Sequence, residues 1–162
     1  LTKLTLSKIT TAIFIKFPFL QSIIFICLKI NFGYNMSKRG KMIYKDELIF
    51  IERENSDVPW VKIFTKIPFV ELTDCDENTQ KRLFEVILMV EKTMREFYNP
   101  TKINIASFAN YVPRVHFHVM ARFENDSFFP ESMWGVKQRE AKLNLPNFDD
   151  FTKFLLQRLN NG

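Results

Sequence analysis

The sequence predicts one α+β domain, with antiparallel strands interrupted by a long helix. Three observations carry this. Short β-rich segments bounded by turn residues occur before Thr65 and again after Thr101; a helical stretch from Glu71 to Pro100 separates them; and a second amphipathic stretch closes the chain. A length of 162 residues suits one domain with a real core. There is no internal repeat and no low-complexity linker.

The elements follow in order. "MIYKDELIFIERE", from Met42, reads as two strands around the polar turn Lys45-Asp46-Glu47. "VPWVKIFTK" reads as a third strand entered through Pro59. In the long helix, Leu83, Ile87, Val90, Met94 and Phe97 recur at helical spacing, and Phe84 and Leu88 widen that face enough for both sides to be covered. Thr73 with Asp76 three residues on has the form of a capping box, and Asn99-Pro100 ends the helix. "KINIASFA" reads as a fourth strand, and a fifth follows the turn at Asn110 to Pro113. A C-terminal helix is predicted over 147–159, after Pro146.

Residues 1–41 differ in character. They hold Lys3, Lys8, Lys16, Lys29, Lys38, Arg39 and Lys41 but no Asp or Glu. The whole chain has 23 Lys and Arg against 18 Asp and Glu, so residues 42–162 carry 16 basic and 18 acidic side chains. The formal +5 therefore belongs to the N-terminal stretch, and bulk charge gives no reason to expect a nucleic-acid partner. The longest charge-free run there, Phe17 to Leu28, is shorter than the ~20 residues a spanning helix needs. Three readings fit this stretch: upstream sequence read in frame ahead of a start at Met36 or Met42, a membrane-associating anchor, or an extra structural element. The first ranks highest, so residues 1–41 are expected to lie outside the fold and no membrane partner is expected. Cys27 and Cys75 form neither a disulfide framework nor a CxxC site, and a reduced, cytoplasmic setting is the default expectation.

The chain's two histidines lie one residue apart in "PRVHFHVMARF", residues 113–123. On a strand, alternate side chains share a face. Val115, Phe117 and Val119 suit the core; Arg114, His116, His118, Met120 and Arg122 point the other way, a row of basic groups with no acid among them. Side chains two apart on that face lie ~7 Å from each other at a rise of ~3.3 Å per residue. Three readings suit such a row. It is the wet side of a half-exposed strand, a zinc site, or an anion site. Zinc wants three or four ligands and this chain has two histidines flanked by arginines, so no metal is expected. Arginine forks match phosphate oxygens, and a neutral imidazole beside a phosphate is a nucleophile.

"RVHFHV" resembles the signature of the histidine triad (HIT) family, in which histidines alternate with apolar residues. "KINIASFANYVP" resembles the strand and loop before the motif. "ARFENDSFFPESMWG" resembles the segment after it in a bacterial branch whose first triad position is not histidine. The resemblance runs from Met42 to Gly135, with the C-terminal helix beyond. It implies a HIT-like antiparallel sheet of about five strands, with the long helix between strands 3 and 4.

The resemblance further implies a homodimer that needs no cofactor and takes a nucleotide or dinucleoside polyphosphate ligand. It makes His116 the nucleophile and His118 a phosphate contact. Asn104, Asn110, Arg114 and Arg122 become phosphate- or nucleotide-binding residues. Arg114 stands at the first triad position. Ala109 stands where the family has glycine, and the histidine that often follows the third strand is missing from "FTKIPF". The activity implied is hydrolysis of a nucleotidyl bond in a dinucleoside polyphosphate, phosphoramidate or adenylylated compound, through a nucleotidyl-histidine. The rival is a non-catalytic nucleotide-binding regulatory protein of the same fold. Trp134-Gly135 and Phe128 to Pro130 either cover the site or pack on the body, and Trp60 reads as a core or dimer-contact residue.

Overall fold

A computed structural model describes residues 40–161; the expectations for residues 1–39 lie outside the described residues. Five strands form one antiparallel sheet: β1 (Met42–Lys45), β2 (Ile49–Arg53), β3 (Trp60–Thr65), β4 (Lys102–Ala106) and β5 (His116–Arg122), in the order β1-β2-β3-β5-β4. Helix α1 (Glu77–Tyr98) connects β3 to β4, and α2 (Phe148–Asn161) follows the sheet. This is the α+β architecture, with the helix after strand 3, that the sequence predicts.

The β1–β2 turn is built by Asp46, whose Oδ1 accepts the amides of Leu48 and Ile49, both at 2.8 Å. Asp46 Oδ2 accepts Arg82 Nε of α1 at 2.9 Å, tying the turn to the helix. The sheet begins slightly ahead of Met42: the Arg53 amide donates to Lys41 O at 2.8 Å. Gly40 packs so closely that a Cβ there would sit 1.9 Å from Arg53 O.

The start of α1 differs from the predicted capping box. Asp76 is the N-cap; its Oδ1 accepts the Thr79 amide at 3.0 Å and its Oδ2 the Thr79 hydroxyl at 2.6 Å. Thr73 instead lies in a short 3-10 turn, Leu72–Asp74. Asp is as good a cap as Thr, and the local pattern does not distinguish two candidates three residues apart. At the other end Asn99 adopts φ 45°, the left-handed conformation that stops a helix.

The core lies between α1 and one face of the sheet. Leu83, Val86, Ile87, Val90, Met94 and Tyr98 of α1 pack with Ile49 and Ile51 of β2, Val61 and Ile63 of β3, and Val119 and Ala121 of β5. Phe151, Leu155 and Leu159 of α2 join the same cluster. Phe84 and Leu88 do not: they are 45% and 62% exposed, so the apolar face of α1 is narrower than the spacing predicts. Each fully buried aliphatic side chain contributes about 1.5–3 kcal/mol, which makes this layer the main source of stability. Its alternation with the opposite face also fixes the register of β3 and β5, and so places the histidines. Among the described residues, no helix is long and apolar enough to cross a membrane.

Candidate active site on the second sheet face

In the β3–β5 ladder Phe64 pairs with His116, Lys62 with His118 and Trp60 with Met120. Paired residues of antiparallel strands share a face, so Trp60, Lys62 and Phe64 stand beside the histidines, away from α1. Sequence alternation had already grouped the β5 residues; only the ladder reveals that β3 contributes three more.

This face is far drier than a wet strand. His116 is 6% exposed and its ring stacks on Phe64, with centroids 4.8 Å apart and planes 16° from parallel. Phe64 in turn stacks on Phe50 at 4.9 Å and 8°. His118 is half-buried, and its ring lies 4.9 Å from that of His116. Trp60 and Trp134 meet the His118 ring edgewise at 5.4 and 5.0 Å. Trp134 therefore packs at the site, on a loop whose position the sequence left open. Phe108 extends the aromatic group, 4.9 Å from Trp134.

The histidines have well-defined partners. Nδ1 of His116 lies 2.9 Å from Arg114 O; a carbonyl only accepts, so Nδ1 carries the proton and Nε2 of the neutral ring keeps its lone pair. Burial holds His116 below the usual histidine pKa, and the charges of Lys62 and Arg114 act in the same direction, against the pull of the Arg114 carbonyl. The His118 ring is pushed down to about 3 by burial, then by His116 and Lys62. At neutral pH both rings are uncharged. The indole N–H of Trp60 donates to His118 Nδ1 at 3.0 Å. Lys62, which the sequence reading did not single out, forms an ion pair with Glu54 at 2.7 Å.

The two arginines sit differently from the predicted row of cations. Arg114 donates from Nη2 to Thr65 O and lies 5.4 and 5.3 Å from the Phe50 and Phe64 ring centres. Arg122 is 1% exposed and does not face a cleft. Its Nε and Nη2 clamp Asp126 at 2.8 and 3.0 Å, Nη1 donates to Asn104 Oδ1 at 2.9 Å, and Nη2 also reaches Glu131 O at 2.9 Å. The counter-charge missing from the strand itself comes from Asp126, four residues on, where the chain folds back. Asn104 is thereby drawn into the arginine's network. Burial would raise the Asp126 carboxyl, but Arg122 and the amides of Phe123, Phe128 and Phe129 outweigh it and hold it at about 2. Asn110 lies on an exposed loop, next to Ala109 at φ 52°. A glycine would adopt that left-handed backbone without strain, which alanine does not.

Among the described residues no group of three or more His, Cys, Asp or Glu side chains could hold a metal ion. What the face offers is a basic imidazole nitrogen beside a second neutral imidazole, in surroundings that oppose their protonation. Such a pair suits attack on phosphorus.

Comparison with known proteins identifies the family and the fold. The family model described as HIT domain matches residues 35–125, starting ahead of the predicted boundary at 42. A histidine triad protein from Bradyrhizobium japonicum is 26% identical, with 75% of this chain and 90% of that one covered and a TM-score of 0.62. One from Marinobacter aquaeolei is 22% identical, with 77% and 91% covered and a TM-score of 0.63. One from Sinorhizobium meliloti is 22% identical, with 78% and 91% covered and a TM-score of 0.59. At 22% identity these last two speak for the fold alone. No curated protein matches the chain.

Proposed function

The chain belongs to the HIT domain family, and from that premise we propose that it binds a nucleotide over the histidine face and hydrolyses a nucleotidyl bond through His116. The observation that carries the reading is the hydrogen bond from His116 Nδ1 to Arg114 O, which leaves Nε2 as the ring's nucleophilic atom. Burial supports it by keeping the ring neutral.

In the first step the Nε2 lone pair attacks the α-phosphorus. A P–N bond forms and the P–O bond to the leaving group breaks, its electron pair staying on the departing oxygen. The imidazolium so formed keeps its proton on Nδ1 and donates it to Arg114 O, which helps disperse the charge. Water then attacks phosphorus, the P–N electron pair returns to Nε2, and the water proton passes to solvent. His118 donates a hydrogen bond to the phosphoryl oxygen on which charge builds, an interaction commonly worth ~3 kcal/mol. Asn104, Asn110 and Arg114 border the nucleotide. Arg122 serves it through the loop it holds.

The test is incubation of the full chain with diadenosine tetraphosphate, followed by chromatography of the products. Turnover by wild type and its loss in His116→Ala, with nucleotide binding retained, support the hydrolase. Binding without turnover in wild type replaces it with the regulatory nucleotide-binding reading.

A further inference from the structure

The two histidines are held in opposite tautomers. His116 carries its proton on Nδ1, where it meets a carbonyl. His118 receives the Trp60 N–H on Nδ1, so that nitrogen holds a lone pair and the ring's one proton is on Nε2. One ring therefore offers an electron pair and the other, 4.9 Å away, offers an N–H. Trp60 has little freedom to release this bond: it is 9% exposed, belongs to β3, and its ring meets that of Trp134 at 5.2 Å.

We propose that Trp60 is a positioning residue that fixes His118 as a hydrogen-bond donor unable to act as an acid, and that this confines the enzyme to phosphoanhydrides and excludes phosphoramidates. The inference rests on the hydrolase reading for its substrate class, but not for its tautomers. A neutral imidazole N–H is a far weaker acid than imidazolium, and useful general acids have pKa values near the working pH. With His118 neutral far into the acid range, it stabilises charge on a phosphoryl oxygen but gives up no proton.

The neighbouring cations do not replace it. Lys62 is committed to Glu54, and Arg114 is a guanidinium, which does not deprotonate in proteins. The leaving group must then depart with only the electron pair of the broken bond. A phosphate does so as a stable anion. An amine would leave as an amide ion unless a proton reached its nitrogen, and among the described residues of this face none is set to deliver one.

The experiment has two arms on the full chain. Labelling with ring-15N histidine and recording long-range proton–nitrogen correlations near neutral pH reads both tautomers, with His116→Gln assigning the two rings. The expected result is Nδ1–H for His116 and Nε2–H for His118 in wild type, with the His118 pattern becoming a mixture in Trp60→Phe, and kcat on diadenosine tetraphosphate falling about tenfold at similar KM. Nδ1–H at His118 in wild type, or an unchanged pattern in Trp60→Phe, overturns the positioning role. The wild-type spectrum decides the tautomers even if Trp60→Phe does not fold.

In the second arm, kcat/KM for diadenosine tetraphosphate is compared with that for adenosine 5′-phosphoramidate. An advantage of about a hundredfold or more for the anhydride is expected, the scale of a missing general acid. Comparable rates overturn the substrate restriction. Turnover of neither overturns the hydrolase reading together with the restriction, while the spectra still decide what Trp60 does.

Discussion

Replacing Arg122 by methionine separates two roles for this arginine. As a phosphate ligand its loss would weaken nucleotide binding and spare the fold. The structure points the other way. Both the Arg122 and Asp126 side chains are 1% exposed. Methionine keeps the apolar stem but leaves the Asp126 carboxylate buried without its cation. Breaking one side of a buried ion pair costs about 3–5 kcal/mol. Asp126 retains the amides of Phe123, Phe128 and Phe129 at 3.1, 2.8 and 2.7 Å, which sets the expected loss at the low end, about 3 kcal/mol. In urea, with a slope of about 1.5 kcal/mol per molar, the midpoint falls by about 2 M.

The deficit also depends on pH. In wild type the folded Asp126 pKa is about 2, below its ordinary 3.8. Its stabilisation is therefore complete above 3.8 and is lost as pH falls toward 2. Without Arg122 the folded pKa rises, so the gap between variant and wild type is widest near neutrality and narrows below pH 4. The double variant Arg122→Met/Asp126→Asn removes the stranded charge while keeping an acceptor oxygen for the amides of Phe128 and Phe129, and should recover part of the loss. A cost under about 1 kcal/mol, accompanied by a tenfold or greater rise in KM for nucleotide, would refute this account and return Arg122 to the phosphate.

The histidines also make the fold acid-sensitive. His118 is depressed in the folded state from 6.5 to about 3, so its contribution is present above 6.5 and drains away between 6.5 and 3. Discounted for its half-exposed ring, this amounts to about 1 kcal/mol lost by pH 5, and His118→Gln should flatten the urea midpoint over that range; an unchanged slope would contradict the neutral-ring picture. A chain beginning at Met42 is expected to fold and keep activity. It gives up the Lys41 carbonyl bond to Arg53, worth about 1 kcal/mol, and insolubility or lost nucleotide binding would count against it.

Much of the architecture was legible because period and punctuation are local. The five strands, the helix after strand 3, and a closing helix expected over 147–159 and observed over Phe148–Asn161 all follow from them. Depth was less legible. The 3.6-residue period places Phe84 and Leu88 beside the buried stripe of α1 but does not say how far the sheet extends under it.

At the site, alternation grouped His116, His118 and Arg122 correctly on one face. It missed what lies across from them, because strand pairing is not written in β5 itself. Trp60, Lys62 and Phe64 were visible as an alternating trio in "WVKIF", yet only the β3–β5 register joins them to the histidines. The role of Asp126 went unread for the same reason: a counter-charge beyond the strand end escapes a pattern that runs along the strand.

The chain contains two tryptophans, and both rings lie within 5.4 Å of His118 and 5.2 Å of each other, at 80°. Their emission therefore has one address in the molecule, with no background from a third indole. A nucleotide settling beside His118 changes the polarity and quenching around both fluorophores at once, so an unlabelled chain reports its own occupancy. Two indoles this close and this steeply crossed also couple as excitons, giving a circular-dichroism signal that vanishes when either ring moves. In a denaturation series, loss of that signal ahead of the backbone ellipticity would register release of the segment bearing Trp134 while the sheet beneath is still intact.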